Sequence, residues 1–195
     1  MPRTPSTMLP LGTPAPAFAL LDPASGRTVT LDELAQAGRP LLVMFICNHC
    51  PFVVHVAREL AALGRDYAPR VSIVAINSNN PDTHPDDAPA TMPAQAKAQG
   101  YPFPYLFDES QSVAKAYHAA CTPDFFLFDA SRRLVYRGRL DASTPGNNVP
   151  VSGEDLRAAI NALLASKSPN PDQHASIGCN IKWKPGNEPA YATAL

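Results

Sequence analysis

The sequence has no excess of charge of either sign and no hydrophobic run long enough to cross a membrane. Its 16 basic and 17 acidic side chains give a formal net charge of −1 over 195 residues, which argues against a dedicated nucleic-acid or membrane-surface binder. The longest apolar run, 41–47, has seven residues, whereas a membrane-spanning helix needs about 20. The first residues are rich in proline where a signal peptide requires an apolar helical core, so we expect a cytoplasmic protein.

Cysteine is also scarce. Four cysteines in this chain are too few for a disulfide scaffold, and the cytosol keeps most thiols reduced. Proline is abundant, with 22 copies, and the proline-rich segment 1–16 is interpreted as an extended arm. The hydrophobic share of 45% is that of a globular protein. We expect one domain over 1–195, with this arm and a C-terminal extension over 168–195.

The order of the predicted elements indicates the fold class. A continuous apolar run over 40–46 predicts a strand buried on both faces. Apolar residues at steps of three and four predict a helix over 51–68, and a second buried strand follows over 71–76. These elements form a parallel βαβ unit. An antiparallel hairpin and a closing helix are predicted later in the chain, over 125–128, 134–136 and from 152. This order is that of a thioredoxin-like α/β fold, with a central mixed sheet flanked by helices. Shorter elements are predicted over 18–21, 27–30, 32–37, 93–99 and 113–118.

The most informative motif is a pair of cysteines, Cys47 and Cys50, that flanks His49 where the predicted strand ends and the helix begins. A helix N-terminus carries positive partial charge and free N–H groups, which stabilise a thiolate. Cysteines at this spacing can close a disulfide across the first turn and leave the first sulfur exposed. A protonated His49 would further lower the thiol pKa and make the disulfide more oxidising. We therefore expect Cys47 to be the nucleophile and Cys50 the resolving thiol.

Two other interpretations of the cysteine pair stay open, a zinc site and inert thiols. A structural zinc site needs about four ligands, usually from two such pairs, and this sequence offers one pair. Redox chemistry fits the motif better, and no metal or other cofactor is expected.

A second signal is Thr122-Pro123, immediately before the hairpin. A proline that opens a strand is often only a strand starter. The functional interpretation is a cis-proline loop that abuts the dithiol and offers the Thr122 backbone to an extended substrate. Only about 5% of X–Pro bonds are cis, and the cysteine pair upstream is the reason to expect one here.

These motifs resemble those of the thioredoxin-like superfamily, in the branch of the peroxiredoxins and the alkyl hydroperoxide reductase/thiol-specific antioxidant (redoxin) group. The resembling segments are 12–20 (GTPAPAFAL), 47–51 (CNHCP) and Thr122-Pro123. Two further segments, 101–109 (YPFPYLFDE) and 176–183 (SIGCNIKW), are similar to an uncharacterised redoxin subgroup. The resemblance covers nearly the whole chain and implies the fold and an oxidoreductase reaction class.

One position departs from the peroxiredoxin pattern, which places a proline seven residues and a threonine three residues before the peroxide-reactive cysteine. Counting back from Cys47, Pro40 matches, but Met44 stands in the threonine position. Counting from Cys50, neither position matches. Because the hydroxyl that would orient a peroxide is missing there, dithiol exchange is expected rather than peroxidase activity.

The C-terminal extension contains a period of two, in which Ile177, Cys179, Ile181 and Trp183 alternate with small or polar residues. This pattern predicts a strand-like segment with four apolar side chains docked on the body. Cys179 is then either an inert buried thiol or, as considered for Cys121 too, an additional redox thiol close to the dithiol.

The sequence thus predicts an enzyme, a thiol–disulfide oxidoreductase that uses Cys47 and Cys50 in a cytosolic redox or antioxidant role. The alternatives are a peroxidase that passes through a sulfenic acid at Cys47 and a non-catalytic or metal-binding module. The expected partners are a protein or small-molecule disulfide or peroxide and a cellular thiol reductant. Nucleic acid and membrane are not expected as partners, and the sequence does not predict the oligomeric state.

Overall fold

The computed structural model describes residues 3–35 and 38–193. The other residues belong to the predicted arm, the predicted turn over 32–37 and the C-terminal extension, and those parts of the predictions lie outside the described residues. The strands are β1 (Arg3–Pro5), β2 (Ala19–Asp22), β3 (Arg27–Thr30), β4 (Leu41–Phe45), β5 (Ser72–Asn77), β6 (Tyr105–Phe107), β7 (Cys121–Thr122), β8 (Asp124–Phe128), β9 (Leu134–Gly138) and β10 (Ile177–Asn180). The helices are α1 (Leu31–Leu34), α2 (Pro51–Tyr67), α3 (Met92–Gln99), α4 (Ser112–Ala116), α5 (Glu154–Leu164) and α6 (Ala190–Thr193), with a 3-10 turn over Pro85–Asp87.

Seven strands form the central mixed sheet, in the order β3-β2-β6-β5-β4-β8-β9. Strands β4, β5 and β6 are parallel, and the remaining pairs are antiparallel. The predicted βαβ unit is present as β4, α2 and β5, and the predicted hairpin is β8 and β9.

The position of β4 between two helical layers explains why the apolar run over 40–46 contains no alternating polar residues. Leu42 and Met44 point into the core cluster that contains α2 and α5. Leu41, Val43 and Phe45 point into a second cluster, which contains α1 and α4, on the other face. Because side chains alternate along a strand, a strand between two helical layers must be apolar at every position.

Strand β6 is an element that the sequence analysis does not predict. It has three residues, and a run this short carries too few alternations for a periodic signal. Its place in the sheet comes from pairing with β5 on one side and β2 on the other.

The N-terminal arm and the C-terminal extension meet in a second, three-stranded sheet of order β1-β10-β7. The predicted strand in the extension is therefore present, but the prediction that all four apolar residues face the body is wrong. Cys179 and Ile181 are buried, whereas Ile177 is 43% exposed and borders a surface groove beside Phe52 and Pro123. In the described part of the chain, no helix combines the length and apolar character that crossing a membrane requires.

Candidate active site

The two cysteines of the motif lie at the junction between β4 and α2. The helix begins at Pro51, and Cys50 is its N-cap residue. Cys47 precedes the helix by one turn and is 2% exposed, and Cys50 is fully buried. The expectation that the first sulfur is exposed is therefore wrong, because Asp87 from the loop after β5 and Thr122 from the segment before β8 pack against the junction.

The loop before β8 lies directly against both sulfurs. The Thr122–Pro123 peptide bond is cis, as the sequence analysis predicts. Cys47 Sγ lies 3.3 Å from Thr122 Oγ1, and Cys50 Sγ lies 3.2 Å from the Thr122 carbonyl oxygen. One residue of this loop thus contacts both members of the dithiol.

The sequence analysis expects Cys47 to be the more acidic thiol, whereas in the structure the pKa of Cys50 is lowered and that of Cys47 is raised. Hydrogen bonds from Cys179 and Cys47, aided by the Val53 backbone N–H, lower the pKa of Cys50. The hydrogen bond to Cys50, burial and the negative charge of Asp87 raise the pKa of Cys47. The main physical reason is that Cys179 reaches Cys50 and not Cys47, and the Val53 N–H in the first turn of α2 adds a smaller contribution in the same direction.

His49 is held by a buried carboxylate. Its Nδ1 lies 2.5 Å from Asp87 Oδ2 and 4.0 Å from Cys47 Sγ. Asp87 is fully buried and also accepts hydrogen bonds from the backbone N–H of Asn48 and from Asn79 Nδ2, each at 2.7 Å. The carboxylate therefore fixes both the motif loop and the imidazole beside Cys47.

Asp87 is a site residue that the sequence analysis misses. It lies in the 3-10 turn that belongs to the polar loop after β5. Parallel strands β4 and β5 end at the same edge of the sheet, where open α/β sheets place their sites. The polar segment 77–80, which begins at the last residue of β5, was thus the signal that could have drawn attention to this loop.

Three of these side chains could hold a metal ion. Ligand atoms of Cys47, His49 and Asp87 all lie within 4.8 Å of one another, and thiolate, imidazole and carboxylate are ligands that zinc takes. A metal bound through Nδ1 would have to replace the hydrogen bond between His49 and Asp87.

The two remaining cysteines lie in different places. Cys179 Sγ is 2.8 Å from Cys50 Sγ. Cys121 is fully buried, its thiol faces the Pro123 carbonyl oxygen at 3.7 Å, and burial raises its pKa. Of these two cysteines, only Cys179 therefore contacts a sulfur of the dithiol.

The strand edge expected to receive an extended substrate is covered by the chain itself. Strand β10 pairs with β7 in a register that places Cys179 opposite Thr122. The approach is close, because a Cβ added to Gly178 would lie 2.0 Å from the Thr122 carbonyl oxygen. Thr122 thus pairs with the C-terminal extension at this edge.

Comparison with known proteins places the chain in a family. Residues 11–137 match the AhpC/TSA family. The structure is similar to that of an uncharacterized conserved protein from Geobacillus kaustophilus, with 53% identity, a TM-score of 0.93 and coverage of 95% of this chain and 98% of that one. A hypothetical protein from Sinorhizobium meliloti 1021 has 52% identity, a TM-score of 0.91 and coverage of 94% and 100%.

More distant similarity concerns the fold alone. A thiol:disulfide interchange protein of the thioredoxin family from Chlorobium tepidum has 19% identity, a TM-score of 0.59 and coverage of 78% of this chain and 97% of that one. No curated protein matches the sequence. The chain belongs to the AhpC/TSA (redoxin) family and has the thioredoxin-like fold that its motifs predict.

Proposed function

We propose that this protein is a thiol–disulfide oxidoreductase whose redox-active groups are Cys47 and Cys50. The observation that carries the proposal is the placement of both sulfurs against Thr122 at the β4–α2 junction, with Cys47 Sγ 3.3 Å from its hydroxyl oxygen and Cys50 Sγ 3.2 Å from its carbonyl oxygen. In this pair the pKa of Cys50 is lowered and that of Cys47 is raised. Such a pair holds one proton between two sulfurs, which is the protonation state that dithiol exchange requires.

The first chemical step uses that shared proton. As a substrate disulfide approaches, Cys47 transfers its proton to the Cys50 thiolate and attacks one substrate sulfur. A bond forms between Cys47 and that sulfur, and the substrate disulfide breaks to release a thiolate. The Thr122 hydroxyl, 3.3 Å from Cys47 Sγ, is placed to donate to negative charge on Cys47, and His49, whose Nδ1 lies 4.0 Å from the same sulfur, would stabilise that charge when protonated.

In the second step, Cys50 loses its proton to the released thiolate and attacks Cys47 Sγ. The mixed disulfide breaks, a Cys47–Cys50 disulfide forms, and the second substrate sulfur leaves as a thiolate. The substrate gains two electrons and the protein loses two. A cellular thiol reductant must then return the pair to the dithiol state. In a reducing compartment such as the cytosol, where we place this role, the resting state is the dithiol and the protein donates electrons.

A peroxidase reaction is the second candidate, favoured by the hydroxyl that Thr122 brings to Cys47 despite Met44 at the sequence position discussed above. Here the Cys47 thiolate attacks a peroxide oxygen, which gives a sulfenic acid and an alcohol or water. Cys50 then attacks the sulfenic acid sulfur and releases water, which again leaves a Cys47–Cys50 disulfide.

The test is turnover of a disulfide and of a peroxide by the same set of variants. Insulin with dithiothreitol as reductant measures disulfide exchange, and hydrogen peroxide consumption measures peroxidase activity. Cys47→Ser and Cys50→Ser should each abolish insulin reduction, whereas Cys121→Ala, a control change at a buried cysteine outside the dithiol, should retain it.

Activity with peroxide but not with insulin would favour the second candidate. Absence of both activities, with bound metal found by elemental analysis, would favour the metal-binding alternative.

A further inference from the structure

The contact between Cys50 and Cys179 is not required by a two-cysteine reaction. Their sulfurs are 2.8 Å apart, and all four cysteines of the chain are free thiols. Both residues are buried, with exposed fractions of 0% and 1%. A disulfide needs its sulfurs at about 2.05 Å, so a small movement of either side chain would bring these two into bonding distance.

The backbone holds Cys179 at this position from both sides. Strand β10 lies between β1 and β7, with Cys179 opposite Arg3 on one side and Thr122 on the other. Gly178 packs against the Thr122 carbonyl, and the Ile181 N–H donates to the Ala120 carbonyl oxygen. An antiparallel partner strand at this edge is how an extended peptide would bind. The extension therefore brings a thiol to the dithiol in the manner of a bound substrate.

We propose that Cys179 is a third catalytic thiol, which takes over the disulfide from Cys47–Cys50 by attack on Cys50. This inference rests on the proposed function, because it needs the Cys47–Cys50 disulfide as its starting point. The Cys179 sulfur bonds to Cys50 Sγ, the Cys47–Cys50 bond breaks, and the proton of Cys179 passes to the departing Cys47 sulfur. The exchange is redox-neutral, since one disulfide and one thiol are present before and after it.

The consequence is that the oxidised protein carries its disulfide between two cysteines other than the nucleophile Cys47. After exchange, Cys47 is again a free thiol and the Cys50–Cys179 disulfide links the start of α2 to β10. The reductant that recycles the protein would then act on a bond in the C-terminal extension. Cys121 has no such role, because its thiol faces the Pro123 carbonyl oxygen.

The test is disulfide mapping of the full-length protein by mass spectrometry after oxidation with glutathione disulfide and rapid alkylation of free thiols. In the wild type, we expect the Cys47–Cys50 bond to appear first and the Cys50–Cys179 bond to increase as it decreases. In Cys47→Ser, the Cys50–Cys179 bond should form directly and in most molecules. Cys121→Ala should show the wild-type pattern, and Cys179→Ala should stop at Cys47–Cys50.

The outcomes separate the two proposals. If the wild type forms Cys47–Cys50 but no Cys50–Cys179 bond appears in it or in folded Cys47→Ser, the third thiol is refuted and the dithiol stands. If no Cys47–Cys50 bond forms in the wild type, the proposed function itself fails. Circular dichroism establishes whether Cys47→Ser is folded, and if it is not, the wild-type time course and Cys179→Ala decide the question.

Discussion

Cys50 and Cys179 are 129 residues apart in the chain, and their sulfur atoms lie 2.8 Å apart in the structure. The contact joins the N-cap of α2 to the middle of β10. It lowers the pKa of Cys50 and raises that of Cys179, because a hydrogen bond to a thiolate favours the charged form of the acceptor and the protonated form of the donor. The C-terminal extension therefore contributes directly to the electrostatics of the dithiol.

The location of the thiolate in the reduced protein is the first prediction. Because hydrogen bonds lower the pKa of Cys50 and raise that of Cys47, ultraviolet thiolate absorbance at neutral pH should be lost in Cys50→Ser and kept in Cys47→Ser. Cys121→Ala serves as the control and should match the wild type. A pH titration in which Cys47→Ser loses the absorbance and Cys50→Ser keeps it would contradict the assignment.

His49 should influence the reduction potential. Its Nδ1 lies 4.0 Å from Cys47 Sγ, so the imidazole, when protonated, places a positive charge beside the dithiol and stabilises the anionic reduced pair more than the neutral disulfide. His49→Ala should therefore make the potential of the Cys47–Cys50 pair more negative by roughly 30 mV, which corresponds to about 1.4 kcal/mol. Equilibration with glutathione measures this value. His55→Ala, a histidine that instead bonds to Ser143, is the control, and an equal shift in both variants would exclude a specific role for His49.

Gly178→Ala should destabilise the protein through its backbone contact. The added Cβ would lie 2.0 Å from the Thr122 carbonyl oxygen, so β10 and β7 must separate. We expect the free energy of unfolding to fall by about 1–3 kcal/mol, together with faster proteolysis of the extension. Chemical denaturation gives the first value. Ile177→Ala changes an exposed neighbour on the same strand and should cost less, and equal losses would show that the close approach is unimportant.

Asp124 should make stability depend on pH. Burial raises its pKa well above the ordinary value, and its Oδ2 has no hydrogen-bond partner among the described residues. The folded state therefore binds a proton that the unfolded state releases above pH of about 3.9. This contribution to stability is complete below that pH and is lost as the pH rises through the pKa of the folded state.

Asp124→Asn tests this dependence, because an amide does not titrate. In urea denaturation, the variant should lose less stability than the wild type between acidic and alkaline pH. The exposed Asp172→Asn should follow the wild-type profile. The opposite result would be a free energy of unfolding that rises from acidic to alkaline pH in the wild type when compared with Asp124→Asn. It would show that Asp124 is charged in the folded protein.

Much of the architecture could be predicted because it depends on local patterns. The βαβ unit followed from a continuous apolar run in β4 and from apolar residues at steps of three and four in α2, patterns that reflect the geometry of each element. The position of Cys47 and Cys50 at the strand–helix junction followed from the same periods. The cis Thr122–Pro123 bond was predicted by combining two motifs, and the strand in the extension by an alternation that held for Cys179 and Ile181 but not for Ile177.

The arrangement of charge and protons around the dithiol could not be predicted in this way. Asp87 reaches His49 from 38 residues away, and Cys179 reaches Cys50 from the far end of the chain. The sequence analysis considers Cys179 as a thiol close to the dithiol, but no local pattern selects it over Cys121 or identifies Asp87, because each contact depends on how loops and strands distant in sequence pack at one edge of the sheet. Local periodicity determines which residues form strands and helices, whereas a pKa depends on every charge and hydrogen-bond donor within a few ångströms. The order of ionisation of the two cysteines therefore became visible only once those distant groups were in place.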